Sequence, residues 1–138
     1  MKPTYFIDTS YIVALEIQNE NIHQKVITHW QQLAAIAPNL VTTTYIFEEV
    51  VTLCNNRNLH HKAVEVGTLL LQSSDIKLIE IDQALFTAGW QYFKTHQDKA
   101  YSLTDCLSFI VMQQEGITNA LTLDHHFRQA GFQIHPNG

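Results

Sequence analysis

Four acids carry the chemistry this sequence can offer: Asp8, Glu49, Asp105 and Asp124. Asp8 and Asp124 end strand-like runs, and Glu49 and Asp105 stand early in helical stretches, in a chain where charged residues make up only 15%. Carboxylates gathered at one place repel one another and are costly unless a cation sits among them. Hard divalent ions such as Mg²⁺ and Mn²⁺ take oxygen ligands of this kind and keep several waters. Water held on such an ion is a nucleophile suited to hydrolysis. Every one of these acids also has an ordinary reading. Asp8 and Asp124 can be helix N-caps, Ser102-Leu103-Thr104-Asp105 has the form of a capping box, and Glu49 can be a solvated helix residue. Spacing alone leaves both readings open.

The elements that must position these acids alternate along the chain. Thr4 to Ile7 is β-prone and stops at Asp8-Thr9-Ser10, with a helix starting near Tyr11. Helical spacing runs from Asn21 to Ala37, ends at Pro38-Asn39, and resumes from Tyr45 to Asn56 after the strand-like Leu40 to Thr43. A helix from His61 to Leu71 precedes a strand at Ile76 to Ile81, and Ala84 to Thr95 is helical again. Ser102 opens a helix that reaches Glu115 and stops at Gly116; Ala120 to Leu123 is a strand, a short helix reaches Gly131, and Phe132 to Ile134 closes the pattern. Strands alternating with helices predict right-handed crossovers and a small parallel sheet in a three-layer α/β/α domain. Ligands of such folds bind at the carboxyl ends of the strands, where Asp8 and Asp124 fall.

With 138 residues, 46% of them hydrophobic, the chain is expected to be one domain spanning 1–138. Eight Lys and Arg against thirteen Asp and Glu give a net charge of −5, which excludes a protein that grips nucleic acid by overall basicity. The longest strictly apolar runs, such as Leu33 to Ala37, fall far short of the roughly 20 residues that span a bilayer. Asp8 stands where a signal peptide needs its apolar stretch. Cys54 and Cys106 have no zinc or CxxC spacing and are expected to be buried free thiols, so a cytoplasmic location is expected. The histidine pairs His60-His61 and His125-His126 do not face one site as helix neighbours, and solvated or core-edge roles are expected for them. No phosphate-binding glycine motif is present.

Phe6-Ile7-Asp8-Thr9-Ser10, Thr44 to Leu53, Ser102-Leu103-Thr104-Asp105-Cys106 and Leu121 to Phe127 together resemble the PIN-domain ribonucleases, and most of all the VapC-type toxins of bacterial toxin–antitoxin pairs. The resemblance runs from Tyr5 to Phe132, with the motifs in order. It implies a PIN-like fold and Mg²⁺- or Mn²⁺-dependent cleavage of single-stranded RNA. Asp8 matches the family's first acid, Asp105 the third and Asp124 the fourth. Glu48 and Glu49 compete for the second, and Glu49, directly before Val-Val-Thr-Leu, is the better match. On this reading Asp8 and Asp105 are the main metal ligands, and Glu49 and Asp124 bind a second ion directly or through water. Ser10 and Thr104 match hydroxyls that orient the carboxylates. Cys106-Leu107-Ser108-Phe109 departs from the family's alanine-rich run, which puts the packing of that helix in question. The resemblance also implies an antitoxin partner and a homodimer. Arg128 and Lys99, near the motifs, are the cations expected to touch RNA. The rival reading is a PIN-like module that binds RNA or a protein without cutting.

Overall fold

The computed structural model describes residues 2–17 and 20–137. Its parallel sheet has five strands in the order β3-β2-β1-β4-β5, with β1 at Thr4–Ile7, β2 at Asn39–Thr43, β3 at Ile76–Ile79, β4 at Asn119–Leu121 and β5 at Gln133–His135. Two helices fill each of the first three crossovers: α1 (Thr9–Glu16) and α2 (Glu20–Ala34), α3 (Thr44–Asn56) and α4 (His60–Gln72), then α5 (Gln83–Thr95) and α6 (Leu103–Glu115). The short α7 (His126–Gln129) joins β4 to β5. Crossovers that step outward from β1 to β3 and then back to β4 must, if right-handed, cover opposite faces. The packing agrees, since α1 to α4 contact one another while α5 packs on α6 and α6 on α7. The expected α/β/α layering is what forms.

The step back across β1 matters most. It leaves β1 flanked by β2 on one side and β4 on the other, with Phe6 opposite Val41 and Ala120, and Ile7 opposite Leu121. The strand order therefore reverses at β1, and the crevice outside the carboxyl ends of β1 and β4 is where such sheets take ligands. Phe6, Leu121, Phe109 and Phe127 are fully buried behind that edge and fix its floor.

Local chemistry sets most boundaries. Thr43 caps α3 by accepting a hydrogen bond from the Ile46 amide (3.2 Å), and Asp82 caps α5 through the Leu85 amide (2.9 Å). Gly116 ends α6 in the left-handed conformation at φ 68°. Some ends fall short of expectation. The α2 helix stops at Ala34, because Ile36 and Ala37 close tight turns onto the carbonyls of Leu33 and Ala34. β3 ends at Ile79, and the Ile81 amide turns to the Thr44 hydroxyl instead of a ladder. β4 stops at Leu121 rather than Leu123: the Thr122 amide still bonds the His135 carbonyl, but the Leu123 and Asp124 amides turn to side chains, described below. Both cysteines are buried and free.

Cys106, Leu107, Ser108 and Phe109 all point inward, so α6 is buried nearly all round. The Ser108 hydroxyl is satisfied by the Thr104 carbonyl at 2.9 Å. α5 approaches this helix at Gly89, where a Cβ would lie 2.9 Å from Leu107 Cγ. Leu107 is fully buried and has nowhere to retreat. Gly89→Ala is therefore expected to destabilise the fold by about 1–3 kcal/mol, measured by urea denaturation; a stability equal to wild type would show that the two helices are not so closely set.

Candidate active site

Asp8 follows the last residue of β1, and its amide extends the ladder to the Leu121 carbonyl at 3.0 Å. It occupies the N-cap position of α1, yet its side chain makes no capping bond. The carboxylate instead accepts hydrogen bonds from the Thr122 hydroxyl (2.7 Å) and the Ser10 hydroxyl (2.9 Å), both on Oδ2. Those hydroxyls are themselves in use. Ser10 Oγ accepts from the Leu123 amide (2.9 Å) and Thr122 Oγ1 from the Asp124 amide (3.0 Å), so backbone pairing goes no further than the Thr122 amide.

Asp105 sits in the first turn of α6 in a reciprocal capping box. Ser102 Oγ accepts from the Asp105 amide (3.0 Å) and Asp105 Oδ2 accepts from the Ser102 amide (3.1 Å). The same Oδ2 lies 3.0 Å from Nδ1 of His126, the first residue of α7. An ionised carboxylate only accepts, so the imidazole N–H donates. That nitrogen is also 3.3 Å from Oδ1 of Asp124, which further accepts the His126 amide at 2.9 Å. Asp105, Asp124 and His126 can each offer a ligand atom within 4.8 Å of the others. Glu49, on α3, is tied to the start of α1 by the Thr9 hydroxyl at 2.6 Å. Glu48, one residue earlier, is exposed and accepts from the Thr52 hydroxyl at 2.8 Å.

The electrostatics follow from burial. Removal from water pushes the Asp8 carboxyl up from 3.8 to about 6; the Thr122 and Ser10 hydrogen bonds pull it down, and the nearby Asp105 charge pushes it up further. Burial also raises Asp105, against the hydrogen bonds from Ser102 and His126, with the Asp124 charge adding to the rise. The hydrogen bonds above engage one oxygen of each carboxylate. Acids brought close, with Asp8 and Asp105 raised by burial, make a donor set that suits a divalent cation.

A PIN domain model matches residues 5–133. The chain belongs to the PIN domain family. It is 32% identical over 127 residues to the 23S rRNA-specific endonuclease VapC20 of Mycobacterium tuberculosis, covering 92% of this chain and 94% of that protein. The crystal structure of that VapC20, described as a sarcin–ricin loop cleaving toxin, superposes with a TM-score of 0.83 at 30% identity, over 93% of this chain and 95% of that one. VapBC2 of Rickettsia felis, crystallised with a DNA fragment from its promoter, has a TM-score of 0.68 at 12% identity over 96% and 97% of the two chains, a likeness of fold.

In this PIN domain Asp8, Asp105 and Asp124 stand at one edge of the sheet, whereas Glu49 is bonded to Thr9, the residue after Asp8, and is not in the group within ligand distance. Of the two hydroxyls singled out in sequence, Ser10 bonds Asp8, whereas no hydrogen bond joins the Thr104 hydroxyl to an acid among the described residues. Thr104 precedes Asp105 by one residue, about 100° around the helix. Lys99 lies between α5 and α6 beside Asp98 (3.8 Å), and Arg128 is exposed on α7. Sequence reasoning passed over Thr9, Thr122 and His126. His125 is exposed as expected, but His126 turns inward between two acids. The available signal was its place two residues after Asp124, where a short helix swings the ring back over the strand end.

The Asp8 shift has a consequence for stability. Its folded value of about 6 exceeds the ordinary 3.8, so its contribution favours the fold in acid and is lost as pH rises from about 4 through 6. Without metal, Asp8→Asn is expected to melt above wild type near pH 7.5, by on the order of 2–3 kcal/mol. The gap should close toward pH 4. Melting curves in EDTA at several pH values measure this, and a variant less stable than wild type throughout would contradict the raised value.

Proposed function

We propose that this PIN domain is a Mg²⁺- or Mn²⁺-dependent ribonuclease that hydrolyses phosphodiester bonds of single-stranded RNA, as the toxin of a toxin–antitoxin pair. The observation that carries the reading is the gathering of Asp105, Asp124 and His126 within ligand distance of one another beside the raised Asp8, in the crevice where the strand order reverses. The endonuclease relative supports RNA as the substrate, and solved neighbours that are toxin–antitoxin complexes support an antitoxin partner. The domain is taken to span 1–138 and to work in the cytoplasm; among the described residues no helix is long and apolar enough to cross a membrane.

In this proposal Asp8 and Asp105 are the main ligands, and Glu49 and Asp124 hold a second ion directly or through water. When bound, the metal supplies the acidity that makes water a nucleophile at neutral pH and the charge that offsets charge developing on the phosphate. The protein's own part is positional. Thr122 and Ser10 hold Asp8 from one side, His126 spans Asp105 and Asp124, and Thr9 holds Glu49. These hydrogen bonds fix the carboxylates before any ion arrives. Two divalent ions would cancel the charge of four carboxylates, so a net charge of −5 does not forbid an RNA substrate. Arg128 and Lys99 are proposed as substrate contacts. A homodimer is proposed as well; Val64, Leu69 and Leu71 of α4 stay exposed, while Leu33 and Leu70 go into the core.

The protein incubated with a mixed single-stranded RNA pool is expected to cut in Mn²⁺, stop in EDTA and recover when Mn²⁺ is restored. Asp105→Asn should lose more than about a hundredfold in rate, and Mn²⁺ should raise the melting temperature of wild type more than that of the variant. Cleavage that survives exhaustive chelation would defeat the metal mechanism. RNA held equally well with and without metal, and left intact, would favour the non-catalytic binding module.

A further inference from the structure

The α3 helix carries a second feature besides Glu49. Along its outer side runs a shallow groove of about 490 Å³, bordered by Thr9, Glu49, Thr52, Leu53, Asn56 and Arg57, with Glu48 on its edge. Glu49 lies at the acidic end. Arg57 caps the other end of the helix, eight residues on, or about 12 Å along the axis at 1.5 Å per residue. Three lysines sit beside acids: Lys62 is 3.1 Å from Glu65, Lys77 is 3.0 Å from Glu115 and Lys99 is 3.8 Å from Asp98. Among the described residues, the Arg57 guanidinium has no carboxylate within ion-pair distance.

We propose that this groove is a subsite for the RNA strand leading away from the cleaved bond, with Arg57 holding a phosphate further along it. This rests on the ribonuclease reading above. A guanidinium presents a planar fork that matches phosphate oxygens and is weakly hydrated, so it binds them better than an ammonium of equal charge. Glu48, whose carboxylate is fixed by Thr52, adds to the negative charge near Glu49 and leaves the phosphate the Arg57 end. Leu53 and the threonine methyls give the sugar an apolar floor. The negative end of the α3 dipole accounts for a basic residue at this position, but not for a groove that connects it to Glu49.

The test takes an oligoribonucleotide that the wild type cleaves in Mn²⁺ and follows kcat and KM over a range of KCl. Arg57→Gln is expected to raise KM about three- to tenfold with kcat little changed, and to lower the salt slope by about 0.7, one single-strand phosphate contact. Arg57→Lys should keep the salt slope and part of the affinity. Lys2→Gln, at the opposite end of the sheet, should change neither. Substrates shortened stepwise from each end provide a check that needs no variant. Wild type should lose affinity at the length that removes the contacted phosphate, and Arg57→Gln should show no further loss there. Arg57→Gln kinetics equal to wild type, a KM rise shared by Lys2→Gln, or no length step for wild type would each overturn the subsite while leaving the nuclease intact. If no RNA in a broad pool is cut in Mn²⁺, the ribonuclease reading fails and the subsite with it.

Discussion

A carboxylate removed from water at the end of the central strand is the constraint around which the rest is arranged. Burying an ionised acid without partners is prohibitively costly, and Asp8 is 6% exposed. Its two hydroxyl donors come from opposite ends of the chain, Ser10 next to it in sequence and Thr122 from the segment after β4. The second donor exists only because β4 returns to lie against β1. The sheet order, the crossovers that produce it and the packing of α6 beneath the edge are therefore conditions for holding this one group. The hydrogen bonds moderate its rise in pKa without abolishing it, which leaves an acid that gains from a nearby cation.

Asp105 shows that a structural role and a site role need not compete. Its Oδ2 closes the capping box of α6 and receives the His126 imidazole, so the helix end and the acid cluster share one atom. The arrangement stabilises the start of α6 and aims the carboxylate at the same time. His126 offsets part of the repulsion between Asp105 and Asp124, and its ring also packs edge-on against Tyr101, with centroids 5.4 Å apart. Tyr101 in turn meets Phe109 in the core. The histidine thus links the polar edge to the apolar interior, a second reason why its orientation is fixed. Sites of this kind trade stability for function: like charges are kept close, and the surrounding fold bears the cost.

The close approach of α5 to α6 belongs to the same arrangement. Gly89 lets Leu107 sit under α5, which pins the helix whose first turn carries Asp105. The Cys106 to Phe109 stretch departs from an alanine-rich pattern, yet it packs without a buried polar side-chain atom left unpartnered among the described residues. Larger side chains on α6 are accommodated by a missing one on α5.

Much of this was legible in the residues themselves. Alternating apolar runs and breakers gave the order of strands and helices, because periodicity and turn chemistry act over a few residues. The capping box at Ser102 and Asp105, the stop at Gly116 and the buried thiols were equally local. So was the placement of Asp8 just past a strand. The tertiary structure alone decided which strands are neighbours, that Thr122 rather than Thr104 serves an acid, that Thr9 reaches Glu49 across 40 residues, and that His126 turns inward while His125 does not. These are contacts between residues up to 114 positions apart. Short-range preferences fix where an element begins and which of its faces is apolar. They do not fix which distant side chain arrives at its polar end, because that depends on how all the elements pack together.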